Sequence, residues 1–152
     1  HTGEYLSTLV AGNIHAGFLP VILFLLAGVM AFATGTSWGT FGIMLPIAAA
    51  MAVKVEPSLI IPCMSAVMAG AVFGDHCSPI SDTTILSSTG AHCNHIDHVT
   101  SQFPYALTVA ASAAIGYLIL GMTGSAPLGF VVTGIVMVVL IFILKDKNKA
   151  TA

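Results

Sequence analysis

Charged residues are missing from two long stretches of this chain: residues 5–53 and residues 98–144 contain no Asp, Glu, Lys or Arg. Such sequence cannot build a water-facing surface, but it can face lipid. About 20 consecutive apolar residues carry a helix across a bilayer, so each stretch has room for two spans. Composition agrees, with 57% hydrophobic and 7% charged residues, against about 25% charged in soluble domains. The chain therefore reads as an all-α, polytopic membrane protein whose first partner is the lipid bilayer. A net charge of -2 offers no basis for nucleic-acid binding. Cys63, Cys77 and Cys93 show no paired spacing, so no disulfide framework follows. Cys63, set in an apolar run, reads as a small buried hydrophobe.

The chain opens at His1 and shows no basic segment with a small-residue cleavage site, so no signal peptide is legible. A fragment or one half of a longer chain is the expectation. Residues 3–13 mix apolar and polar side chains and suit a short interfacial helix. The first strong apolar run, 16–33, breaks at TGTSWGT (34–40), resumes at Phe41 and stops before Lys54. Its second leg, 41–53, is short for a crossing, so 16–53 fits either a re-entrant hairpin or a broken span. The run 57–73 ends at GDHCSPISDTT, and a helix can restart after Pro79, making 57–87 a broken transmembrane helix. Polar residues dominate 87–102. Two further spans follow at 104–121 and 127–144, then a polar tail at 145–152. Lys145, Lys147 and Lys149 in that tail favour a cytoplasmic C-terminus, which puts 88–103 in the cytoplasm and opens the hairpin to the outside.

Non-helical backbone at membrane depth is tolerated only beside protein or a water-filled cavity. Both TGTSWGT and GDHCSP are thus expected to border one. An ionisable residue within a membrane segment is a functional candidate because its burial is costly, and Asp75 and Asp82 both qualify. Ser78, Ser81, Thr83 and Thr84 surround them with hydroxyl oxygens. Thr34, Thr36, Ser37 and Thr40 form a second hydroxyl set at the hairpin tip. Na+ takes oxygen ligands, and interrupted helices in neighbouring segments supply carboxylates, hydroxyls and freed carbonyls together. Asp75 and Asp82 are the expected ligands of a transported Na+, with no structural metal and no cofactor. His76 is a candidate proton carrier, since imidazole titrates in the physiological range.

Plainer readings exist for each residue. Asp75 could be a hydrated charge at a helix end, Asp82 the first-turn acid of a helix, and each Ser or Thr a cap. Trp38 reads as packing or an interfacial anchor. The segment AHCNHIDHV offers His92, Cys93, His95, Asp97 and His98, but without the spacing of a standard zinc site. A solvated polar loop is its leading reading, with pH sensing and metal binding behind it.

FATGTSWGTFGIMLPIA (32–48) and GDHCSPISDTTILSSTGA (74–91), followed by NHIDHV and PYAL, closely resemble the NhaC-type Na+/H+ antiporter family. That family is placed with ion transporters built from two inverted repeats, each a re-entrant hairpin followed by a broken helix. The resemblance implies that this chain is the second repeat, with TGTSWGT as hairpin tip and GDHCSPISDTT as break. It implies that Asp75, His76, Ser78, Asp82 and Thr83 line an ion path. It further implies exchange of Na+ for protons in a bacterial or archaeal cell membrane, with Asp82, alone or with Asp75, holding either ion. The first repeat, in a missing N-terminal half, would be a necessary partner, and a homodimer is an assembly open to it. Relatives of the family exchange malate or lactate against protons and Na+, which these residues also allow. No HExxH or GxSxG motif supports an intramembrane enzyme.

Overall fold

The computed structural model describes residues 15–150, with side chains through residue 144. The interfacial helix expected over 3–13 lies outside the described residues. Six α-helices follow in order: α1 Leu19–Thr34, α2 Ser37–Val55, α3 Ile60–Cys77, α4 Asp82–Gly90, α5 His95–Thr123 and α6 Ala126–Ala150. Short 3-10 turns at Ala16–Phe18 and Pro57–Leu59 lead into α1 and α3. Five of these segments are long and apolar enough to cross a membrane, whereas α4 has only nine residues. The chain is an all-helical, multi-pass membrane protein.

Local chemistry explains where the helices begin and end. α1 carries Pro20 in its first turn, where a missing N–H costs nothing. It closes at Gly35, whose φ of 68° suits a residue without Cβ. α2 begins at once, because Thr36 Oγ1 accepts the Gly39 N–H at 3.3 Å. The polar SWGT thus becomes the first turn of a helix of 19 residues, about 28 Å long. The apolar run 41–53 understated this leg, since hydroxyls and glycine in a capped first turn do not stop a helix.

α5 shows the same effect. Asn94 Oδ1 accepts the N–H groups of Ile96 and Asp97 at 2.9 and 3.4 Å, starting the helix at His95. Most of the expected polar loop is therefore helical, and α5 reaches 29 residues, about 43 Å against a hydrocarbon core of about 30 Å. α6 likewise continues through most of the lysine-bearing tail.

The core is made by α1, α2 and α3. Leu19, Leu23, Ala27 and Ala31 are buried at four-residue spacing down α1, and Leu59, in the turn before α3, with Cys63, Val67 and Ala71 of α3 repeats the pattern. α1 and α3 run parallel. Ser78 Oγ donates to the Phe32 carbonyl across a separation of 46 residues, and the same offset recurs where Gly70 meets Phe24 O and Gly74 meets Gly28 O. At both glycines a Cβ would collide with the opposite carbonyl oxygen. Close backbone approach through small residues is how helices associate where lipid removes the hydrophobic drive. α5 joins through Phe24, which stacks on Phe73 and Tyr117 at 6.2 and 5.5 Å.

The parallel register brings the C-terminal ends of α1 and α3 to one level. The α1–α2 turn consequently abuts the α3–α4 break, and a Cβ on Gly35 would lie 2.9 Å from the Ile80 carbonyl oxygen. Gly74→Ala should force α1 and α3 apart and destabilise the chain by about 1–3 kcal/mol, seen as a lower melting temperature in detergent. Gly134→Ala, with nothing within 4 Å of the new Cβ, should not lower it.

Candidate functional site

Asp75 sits in the last turn of α3 and is only 4% exposed. Ser81 Oγ donates to its Oδ1 at 2.6 Å, and Ser37 Oγ donates to its Oδ2 at 2.8 Å. These donors come from two helix N-termini: Ser37 is the first residue of α2, and Ser81 is the N-cap of α4. Two positive helix ends thus converge on one buried carboxylate, against the negative end of its own helix. Among the described side chains no lysine offsets its charge nearby, since Lys54 stands at the far end of α2, about 25 Å along the axis from Ser37.

Proton counting orients the hydroxyls. Ser81 has one proton, given to Asp75, so Thr83 Oγ1 donates to Ser81 Oγ in their 2.8 Å contact. A hydroxyl chain from Thr83 through Ser81 ends on Asp75, and Ser37 meets it from the other side. The Thr83 N–H also donates to Ser81 Oγ at 3.2 Å. Both Ser78 and Ser81 are fully buried.

The remaining candidates divide clearly. Ser78 ties the break to α1 through the Phe32 carbonyl at 2.7 Å. Thr84 Oγ1 donates to His76 O at 3.3 Å. At the hairpin tip only Ser37 reaches the carboxylate. Thr36 caps α2, while Thr34 and Thr40 donate to carbonyls four residues back, Met30 O and Thr36 O. Asp82 is exposed in the first turn of α4, so the two carboxylates are not equivalent. The His76 ring is also exposed, its Nδ1 3.1 Å from Val72 O. It lines a cleft of about 290 Å³ with Gln102 and Tyr105.

Two contributors from α5 stand beside the break. His95 Nε2 donates to Pro79 O at 2.7 Å, and its Nδ1 lies 3.1 Å from Ser88 Oγ. Gln102 Nε2 donates to His76 O at 2.8 Å. The hydropathy pattern gives no sign of Gln102 and sets His95 in a polar loop. Their seven-residue spacing, one face of a helix, was the available signal. Among the described residues no three His, Cys, Asp or Glu side chains converge to hold a metal ion, so the His92–His98 segment does not assemble as a metal site.

Comparison with known proteins now adds to this geometry. Residues 1–122 match the model of the Na+/H+ antiporter family. This chain belongs to that family. An uncharacterized protein of Haemophilus influenzae is 66% identical over 146 residues, covering 96% of this chain and 28% of that protein. A malate-2H+/Na+-lactate antiporter of Bacillus subtilis is 31% identical over 71% of this chain and 23% of its own length. An arginine/ornithine antiporter of Halobacterium salinarum is 33% identical over 75% of this chain and 27% of its own. The chain therefore spans roughly a quarter of the length of the curated relatives it matches. No solved structure matches it.

Removing either serine should leave the buried carboxylate one donor short. Ser37→Ala should cost about 1.5–3 kcal/mol, the range for hydrogen bonds to charged groups. Ser81→Ala should cost more, since it also removes the α4 N-cap, worth about 1 kcal/mol. Thermal unfolding in detergent would rank the two. Equal and negligible effects would show that the hydroxyls do not bear on Asp75.

Proposed function

We propose that this chain carries the ion-binding carboxylate of a secondary antiporter that exchanges Na+ for protons. The observation that carries this reading is Asp75, buried and held by one serine from each of two helix N-termini. A carboxylate so placed, with no lysine or arginine beside it among the described residues, is costly to leave bare in a membrane protein. A proton or Na+ each relieves that cost, and each excludes the other. Every oxygen of Asp75 retains a lone pair beyond its serine partner, and Ser37 Oγ keeps lone pairs for a hard cation, whereas Ser81 Oγ already accepts from the Thr83 hydroxyl and N–H. Asp82, exposed at the start of α4, stands outside this pocket and contributes charge near its entrance. Thr83 and Thr84 order the break, and His76 offers a proton-carrying ring at the exposed side.

Antiport then requires that Asp75 face the two sides of the membrane in turn, the TGTSWGT tip and the GDHCSP break moving together against the rest of a longer transporter. In this reading the chain is the second of two inverted repeats, with 16–53 as a re-entrant hairpin. It works with a preceding repeat in a multi-pass cell-membrane protein whose C-terminus is cytoplasmic, and homodimerisation is compatible with it. No cofactor is needed, because the energy comes from the ion gradients.

Organic-acid exchange is the second reading, favoured by the similarity to malate/lactate and arginine/ornithine antiporters at levels close to one another. The paired N-termini of α2 and α4 would suit a substrate carboxylate as well as they suit Asp75.

Everted vesicles carrying the complete transporter, with a pH-sensitive dye and an imposed proton gradient, separate the two. NaCl should dissipate the gradient and choline chloride should not. Asp75→Asn should abolish the response, and Asp82→Asn should retain exchange with weaker apparent Na+ affinity. Undiminished exchange in Asp75→Asn would remove Asp75 from the mechanism. A response requiring Na+ together with malate or lactate would establish organic-acid exchange instead.

A further inference from the structure

Every carbonyl freed where α3 ends needs a partner, because a buried polar group left unpaired costs about 1–3 kcal/mol. At this break side chains of α4 and α5 serve two of them. The His76 carbonyl accepts from both Thr84 Oγ1 and Gln102 Nε2, at 3.3 and 2.8 Å. The Pro79 carbonyl accepts from His95 Nε2 at 2.7 Å. These carbonyls are thereby occupied by protein donors.

Pro79 is the middle of a very short link. Ser78 on one side is anchored to Phe32 O, and Ser81 on the other donates to Asp75. The Ser81 N–H also donates to Ser78 O at 3.3 Å. Holding the Pro79 carbonyl therefore holds the turn that aims Ser81 at the carboxylate. We infer that His95 is a positioning residue for the ion site: it clasps the break through Pro79 O and sets the Ser81–Asp75 geometry on which cation affinity depends. This inference rests on the reading of Asp75 as the ion-binding carboxylate.

The hydrogen-bond arithmetic shows what kind of clasp it is. A carbonyl only accepts, so Nε2 carries a proton. In the neutral ring Nδ1 accepts from the Ser88 hydroxyl. In the doubly protonated ring Nδ1 donates to Ser88 Oγ, and Ser88 turns its proton to Ile85 O, 2.9 Å away. Both forms keep the bond to Pro79. The clasp thus acts by position and does not open on protonation, which separates it from the pH-sensing reading of the His92–His98 segment.

Two substitutions divide the ring's functions. A glutamine amide reaches the place of Nε2 and can still donate to Pro79 O, while the shorter asparagine reaches only the place of Nδ1 and Ser88. In vesicles carrying the complete transporter, His95→Gln should keep the apparent KM for Na+ within about twofold of the parent. His95→Asn and His95→Ala should raise it about tenfold, the weight of one hydrogen bond, with maximal rate little changed and the detergent melting temperature lowered modestly by the unpaired Pro79 carbonyl, a loss that His95→Gln should escape. Gln102→Ala should have a smaller effect than His95→Asn, because Thr84 still serves His76 O. Equal KM values in His95→Gln, His95→Asn and the parent would overturn the inference. So would losses of rate and melting temperature that are alike in His95→Gln and His95→Asn, which would mark a merely structural histidine. Asp75→Asn run alongside keeps the two ideas apart. Exchange surviving Asp75→Asn would refute the carboxylate assignment, whereas exchange lost there with His95 indifferent would refute only the clasp.

Discussion

The parallel register of α1 against α3 is the constraint on which everything else in this chain depends. It is set by backbone contact at Gly70 and Gly74, where no side chain larger than hydrogen fits against the Phe24 and Gly28 carbonyls. Apolar side chains alone would not choose it, since lipid is as good a solvent for them as another helix. Once the glycines are seated, α1 and α3 end at the same level. The tight Gly35 turn and the 78–81 break then have no freedom to lie apart. Each feature of the candidate site is a consequence of that shared level.

Polar satisfaction does the rest. Two interruptions in neighbouring helices expose backbone groups and bring hydroxyls and a carboxylate into a largely apolar molecule. The structure answers with an economical exchange of partners: Ser37 and Ser81 for Asp75, Ser78 for Phe32 O, and α5 side chains for the two break carbonyls. Few donors are duplicated, so most polar contacts near Asp75 have one route only. That makes the site sensitive to small shifts of α2 or α4.

The distinction between Asp75 and Asp82 shows why the site was only partly legible. Both lie in the same motif, and the sequence reading puts Asp82 first, alone or with Asp75, although nothing in the pattern tells which of the two is enclosed. Burial separates them: α2 and α4 close over Asp75, while Asp82 begins α4 on its open side. The same holds for the tip hydroxyls, four of which looked alike in TGTSWGT. Helix geometry turns Thr34 and Thr40 back onto their own backbones, assigns Thr36 to capping, and leaves Ser37 for the carboxylate.

By itself the sequence determined the membrane-spanning, all-helical class, because charge-free stretches of this length can be buried only in lipid. It also determined the two interruptions, since Gly, Pro and clustered hydroxyls break apolar periodicity wherever they fall. Helix lengths were underestimated, as at Ser37 and His95, because hydropathy does not register capping by Thr36 and Asn94. Only the tertiary structure decided which interruption meets which, which carboxylate is enclosed, and that His95 and Gln102 reach the break. Those outcomes depend on contacts between residues far apart in the chain, and such contacts follow from interhelical register, a property of packed backbones that no local pattern encodes.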